Sequence, residues 1–167
     1  MAATCHVFTE KEGLLSKVAH DLRIRVARFD VKIENDGDQR SVSATFDPSS
    51  LQVETALASG RDNPGALSAS DYRKIEDTIR KDVLHTKRHP KIEFRSTRVE
   101  DDGDGLRVIG DLTLHGRTRE LRLRVRDTGD EWETDVTLHQ PDFGIEPYKA
   151  MLGTLKIKPD VRVKLRV

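Results

Sequence analysis

A chain of 167 residues with 35% hydrophobic and 35% charged content makes one domain, residues 1–167, with a modest core inside a very polar exterior. Its 29 basic and 29 acidic residues cancel, which removes the global field that draws a protein to nucleic acid or to an anionic membrane. Cys5 is the only cysteine, so neither an intramolecular disulfide nor a cysteine-based metal framework is available.

The opening MAATCHVFTEKEG carries neither the basic leader nor the apolar stretch of a secretion signal. No apolar run approaches the ~20 residues of a membrane span. Both point to a soluble, cytoplasmic protein. A short strand is expected at His6 to Thr9, then a loop opened by Gly13. A long extended run follows from Ala19 to Glu34. Leu22, Ile24 and Val26 share one parity there, and Phe29, Val31 and Ile33 the other. That change of phase predicts a β-bulge at Ala27-Arg28, the device that bends a strand and lets a sheet curl.

Val42, Ala44 and Phe46 begin the next strand, Asp47-Pro48 breaks it, and Leu51, Val53, Thr55 and Leu57 alternate beyond the break. A Gly/Asn/Pro/Ser-rich loop over 59–68 leads to the one helix. It is expected from Asp71 to Leu84 with Ser70 as its cap. Tyr72, Ile75, Ile79 and Val83 form its apolar stripe, and Glu76/Arg80 and Asp77/Lys81 are acid-before-base pairs on the solvent side.

Pro90 ends that region, and Ile92, Phe94 and Ser96 start a strand. The clearest pattern comes next. Leu106, Val108, Leu112 and Leu114 share a face, as do Leu121, Leu123 and Val125 beyond His115-Gly116. A period of two on both sides of a glycine-containing pair is the signature of an antiparallel hairpin. Trp132, Thr134, Val136 and Leu138 give another strand. The Pro/Gly-rich stretch 139–153 reads as a long loop, and Leu155 to Val167 closes the chain in extended form. With one apolar face per strand, the sheet must close or be covered. A mainly β, eight-stranded antiparallel barrel with one helix across an opening satisfies that.

Candidate chemistry is sparse. His85 and His89 have the i,i+4 spacing of two metal ligands on a helix face, but Pro90 disfavours helix at His89, and no third ligand is near in sequence. The pair therefore reads as a polar helix end, and no metal or other cofactor is expected. His20-Asp21 has the composition of an acid/base pair, so a hydrolase- or isomerase-type enzyme using His20 stands as a third reading. Nucleophile elbows, phosphate loops and dinucleotide fingerprints are absent from the sequence. A small closed barrel is either filled by its own side chains or holds one apolar ligand. Small inward residues, Ala44 and Gly110, favour the second by leaving room.

The stretch from His89 to Val125 also resembles a known family. Pro90-x-Ile92-x-Phe94-x-Ser96-Thr97 and Val108-x-Gly110-x-Leu112-Thr113-Leu114-x-Gly116 resemble the motifs of the YceI family of bacterial, lipocalin-like, polyisoprenoid-binding proteins. Asp142-Phe143-Gly144-Ile145 is similar to the family's closing segment. Val26 to Phe29 and Ser68 to Asp71 sit where that family has a bent first strand and the start of its helix. Many relatives carry a secretion signal, whereas this chain opens almost directly on its first strand, and GLLSKVAHDLRIRV departs from the usual opening apart from His20. The resemblance implies an eight-stranded barrel with a helix over one mouth, holding a long isoprenoid, fatty-acid-like or other amphiphilic chain without transforming it.

On that expectation the wall is made by Leu22, Ile24, Phe29, Val31, Phe46, Val53, Phe94, Leu112, Leu114, Leu123, Trp132, Val136 and Phe143, with Tyr72, Ile75 and Ile79 on the lid. His20 and Tyr72 are the candidates for a polar head group. The partner is a hydrophobic small molecule rather than nucleic acid, and a homodimer stays open. The competing reading is a filled barrel serving as a structural or protein-interaction domain, with Phe143, Ile145, Tyr148 and Met151 as its surface.

Overall fold

Inward apolar residues at every second position make this chain mostly strand, and the interruptions of that rhythm decide its shape. The computed structural model describes residues 3–12, 20–150 and 155–167; the loop expected at Gly13, the strand start at Ala19, and Met151 and Gly153 lie outside them. In chain order the described elements are β1 (Thr4–Thr9), β2 (Asp21–Val26), β3 (Phe29–Asp36), β4 (Gln39–Phe46), β5 (Leu51–Ala58), the two-residue β6 (Arg61–Asp62) and the helix α1 (Ala69–Thr78). Then come β7 (Ile92–Asp102), β8 (Gly105–Leu114), β9 (Arg117–Asp127), β10 (Trp132–His139), the short pair β11 (Lys149–Ala150) and β12 (Leu155–Lys156), and β13 (Asp160–Arg166).

One antiparallel sheet takes eleven of these strands, in the order β3-β4-β7-β8-β9-β10-β13-β1-β2-β5-β6. The expectation was eight. Two of the three extra strands arise at interruptions visible in the sequence, and the third is the two-residue β6. The break at Ala27-Arg28 divides β2 from β3, and Asp47-Pro48 with the short 3-10 turn Pro48–Ser50 divides β4 from β5. The breaks lie side by side: Ala27 N–H donates to the Ser50 carbonyl at 3.2 Å, and Asp47 N–H to that of Arg28 at 3.0 Å. The four strands are thus one long hairpin folded at a single level. Its β2 arm pairs with β1 and its β4 arm with β7, and the sheet curls accordingly. Asp47 holds the fold in place. Its carboxylate accepts from Ser49 and from the Arg28 guanidinium, interactions that keep its pKa below the ordinary carboxylate value.

The β8–β9 hairpin forms in the expected register, with Val108 opposite Leu123 and Leu106 opposite Val125. His115 and Gly116 both have positive φ, +55° and +75°, the backbone of a primed two-residue turn whose twist matches the flanking strands. Gly110 has a different task from the one expected. A Cβ there would lie 2.5 Å from Phe94 Cζ, 2.5 Å from the Arg95 oxygen and 2.8 Å from Ser96 Cα. The space this glycine leaves is already taken by the Phe94 ring and the β7 backbone.

The helix starts two residues earlier than expected. Ser68, not Ser70, is the cap: its Oγ accepts from Asp71 N–H at 3.1 Å, and the Asp71 carboxylate accepts from Ser68 N–H at 2.9 Å. This reciprocal box needs an acid three residues after the cap, which Asp71 supplies only for Ser68. Beyond Thr78 the chain widens into a π turn over Ile79–Val83. The expected solvent pairs are replaced. Glu76 Oε2 accepts from Val53 N–H at 2.8 Å, and Arg80 donates to the carbonyls of Ser49 and Leu51. Val53 sits beside the register shift in the β2–β5 pairing, so the helix supplies an acceptor at the point where the ladder slips.

Candidate functional site

Two packed clusters meet inside the curl. Phe94, Leu106, Val108, Leu112, Leu138, Phe143 and Ile145 make one, and Cys5, Leu22, Ile24, Val26, Leu51, Val53 and Ala56 the other. Between them lies a cavity of about 500 Å³ whose wall is almost wholly aliphatic and aromatic. A filled core has few voids larger than a water molecule, so this space is an architectural feature. It runs from the end covered by α1 to the end where Ile33, 40% exposed, meets solvent.

Of the residues expected on the wall, Leu22, Ile24, Val31, Phe46, Phe94, Leu112, Leu114, Leu123, Trp132, Val136 and Phe143 do line the cavity, as do Ile75 and Ile79 from the helix. Phe29, Val53 and Tyr72 do not. The Phe29 ring, directly opposite Phe46 across β3 and β4, stacks on it from the side with centroids 5.9 Å apart. Val53 is buried in the second cluster, below the helix. The Tyr72 hydroxyl donates to the Pro64 carbonyl at 3.4 Å, so it is turned toward the loop before the helix. In its place Thr78 and the exposed Lys74 border the cavity. The face toward the cavity therefore runs along Ile75, Thr78 and Ile79, with Lys74 at its solvent edge. Lys74 has no place in the apolar pattern of the sequence, although a lysine stem packs readily on apolar surface.

His20 lines the cavity as well. Its expected partner does not serve it, because Asp21 Oδ1 accepts from Lys11 N–H at 2.8 Å. Two histidine–carboxylate pairs exist among the described residues, His6–Glu54 and His139–Asp160. Neither reaches the cavity wall. Cys5 does, but burial pushes its thiol up to about 12, so it stays protonated and unreactive at neutral pH.

His85 and His89 are not on a helix face. They flank the turn after the π segment, where the amides of Arg88 and His89 both donate to the His85 carbonyl. Both rings approach His115, with centroids 5.5 Å and 4.5 Å away. Among the described residues no group of three His, Cys, Asp or Glu has the arrangement to hold a metal ion. His115 Nδ1 instead donates to the Phe143 carbonyl at 3.3 Å, which leaves Nε2 buried without a partner among the described residues. Burial, then the neighbouring His89, lowers the pKa of His115. In the sequence it was only a turn residue; nothing local signals that Phe143, 28 residues later, ends beside it.

The stretch 139–148 is less irregular than expected. A short 3-10 turn (Gln140–Phe143) ends at Gly144, and Phe143 and Ile145 are 2% and 3% exposed. They form part of the cavity wall at the covered end, so they are not free to act as an interaction surface. No described helix is long and apolar enough to cross a membrane.

Comparison with known proteins agrees with this architecture. The YceI-like domain family matches residues 6–167. Protein YceI of Escherichia coli is 43% identical over 75 residues, 39% of this chain and 39% of that relative's length. A UPF0312 protein of Pseudomonas aeruginosa is 28% identical over 117 residues, covering 62% and 59%. Among solved structures, Burkholderia cenocepacia BcnA superposes with a TM-score of 0.69 at 15% identity, covering 98% of this chain and 94% of that one. A polyisoprenoid-binding domain from Saccharophagus degradans, implicated in plant cell wall breakdown, superposes at 0.59 with 14% identity, covering 98% and 91%. At such identities the likeness is one of fold.

Proposed function

The chain belongs to the YceI-like domain family, and on that premise we propose that it binds one long-chain hydrophobic or amphiphilic molecule, polyisoprenoid or lipid-like, inside the curled sheet without transforming it. The observation that carries this reading is the continuous apolar cavity of about 500 Å³. Small-molecule sites span roughly 300–1,000 Å³ and are mostly apolar. Each buried CH₂ contributes about 0.8 kcal/mol. Ten of them offer about 8 kcal/mol against the cost of association, enough for capture.

The curl of the sheet supports the same reading. One antiparallel sheet runs from β3 round through β13 and β1 to β2 and β5. A curled sheet with a helix across it shields an apolar ligand from water. Against catalysis stand the high pKa of the Cys5 thiol and the engagement of Asp21 by Lys11.

The test is a length series. Saturated alcohols of 8 to 22 carbons are titrated into the delipidated protein with an environment-sensitive apolar probe as reporter. Affinity should rise by about 0.8 kcal/mol per carbon and then level off, near the length that fills the cavity. Affinity independent of chain length would refute the proposal.

A further inference from the structure

Polarity is not spread evenly around the cavity. Of the polar side chains on its wall, Thr134 donates to the Arg124 carbonyl at 3.0 Å and Gln140 to that of Lys158 at 3.2 Å, so both are committed to the protein itself. Thr9, His20, Lys74, Thr78 and Tyr148 remain, and all belong to segments at the helix-covered end. The opposite end, with Ile33, Val42, Leu106 and Val125, is aliphatic.

Thr9 is the informative member. Its Oγ1 is buried, and the residue lines the cavity; among the described residues this hydroxyl has no hydrogen-bond partner. Leaving such a hydroxyl unpaired costs about 1–3 kcal/mol, a cost removed by a ligand atom that hydrogen-bonds to it. Thr9 pairs with Leu22 across β1 and β2. His20, two residues before Leu22 and also on the wall, is its diagonal neighbour, at about 7–8 Å for such pairs. Lys74 comes in from the helix, with Thr78 one turn further along the same face. Among the acids that accompany Lys74 on the helix, Asp77 pairs with Arg80 and Glu76 accepts from Val53 N–H, while Asp71, which accepts from Ser68 N–H, keeps its charge near both Lys74 and His20 and is the group an anionic head must compete with. A cation, an imidazole and a spare hydroxyl thus converge where a tail lying in the barrel would end.

We infer that the cavity selects single-chain amphiphiles with an anionic head, a carboxylate or a phosphate, held at the helix-covered mouth by Lys74, His20 and Thr9 while the tail points toward Ile33 and Val42. This inference rests on the hydrophobic-ligand reading above and adds the head-group class and the direction of the chain.

The experiment holds the tail constant and varies the head. Hexadecanoate, hexadecyl phosphate and hexadecan-1-ol are titrated into the delipidated wild-type chain and into Lys74→Gln, Lys74→Arg and Thr9→Val, with circular dichroism to confirm that each is folded. The two anions should bind the wild type at least tenfold more tightly than the alcohol. Lys74→Gln should shrink that preference below threefold while leaving alcohol affinity unchanged, Lys74→Arg should retain most of it, and Thr9→Val should weaken all three several-fold. A wild type that binds the alcohol as tightly as the anions overturns the head-group inference and leaves hydrophobic binding standing. Failure of all three to bind overturns both. Preference for one anion over the other assigns the head as carboxylate or phosphate.

Discussion

Gly110→Ala separates two explanations of one glycine. If Gly110 is small to make room for a ligand, alanine leaves the fold intact and weakens binding. If it is small because Phe94 and β7 occupy the space, alanine destabilises the fold. The added Cβ would stand 2.5 Å from Phe94 Cζ, 2.5 Å from the Arg95 oxygen and 2.8 Å from Ser96 Cα. Van der Waals contact between carbons lies at about 3.5–4.0 Å, so each approach is roughly 1 Å too close. The ring is able to tilt. The other two atoms are backbone in a strand paired on both sides, with β4 and with β8. Overpacking costs typically 1–3 kcal/mol, and two immovable neighbours place this case at the upper end, about 3 kcal/mol. For a domain of this size that is a fall in Tm of roughly 6–12 °C. Urea unfolding followed by circular dichroism gives the free energy directly. Adding Phe94→Leu should return only the part due to the ring, leaving most of the loss in the double variant. A Gly110→Ala protein within about 0.5 kcal/mol of wild type, the range of an ordinary surface change, would refute the packing argument.

Ser68→Ala removes one arm of the capping box and should cost about 0.5–2 kcal/mol, seen first as faster amide exchange in the opening turn of α1. Ile79→Asp puts a charge on the cavity side of the helix; exchange over α1 should rise, the β8–β9 amides should stay protected, and release of a bound apolar probe should quicken. Equal protection of α1 and of Leu112 to Leu123 in the ligand-free wild type would instead make the helix a fixed plug. His115 carries a pH signature. Its pKa is lowered in the folded chain, so its contribution is fully present above the ordinary histidine value of about 6.5 and is lost as pH falls from there through the folded value. The fall in Tm between pH 8 and pH 5 should shrink in His115→Asn, and an identical fall in the two proteins would remove His115 from the account.

Much of this architecture is legible where a local pattern has one physical solution. Alternation from Leu106 to Val125 admits only a hairpin, and the parity change between Val26 and Phe29 marks the bend. What the sequence hides is the consequence of the bend. Counting runs gives eight strands, but whether a folded arm keeps one ladder or splits into two depends on Ser50 and Asp47 meeting Ala27 and Arg28 across the hairpin. Ser68 and Ser70 both look like caps, and only the distance to Asp71 separates them. On the site, the apolar wall follows from parity. Phe29 and Val53 face inward as parity predicts but stop short of the cavity, Phe29 beside the Phe46 ring and Val53 within the second cluster, while Tyr72, at the edge of the helix stripe, turns to the Pro64 carbonyl. Lys74 and the triple-histidine contact were out of reach, since each depends on which elements the fold brings together.

Native mass spectrometry of the chain, purified without detergent and compared before and after solvent delipidation, tests the central claim most directly. A cavity that holds a long-chain molecule predicts a discrete mass excess on the untreated protein. It should disappear on delipidation and return when a hydrophobic chain long enough to fill the space is added back. A single mass matching the bare chain in every sample, together with no uptake from an excess of added lipid, would contradict it.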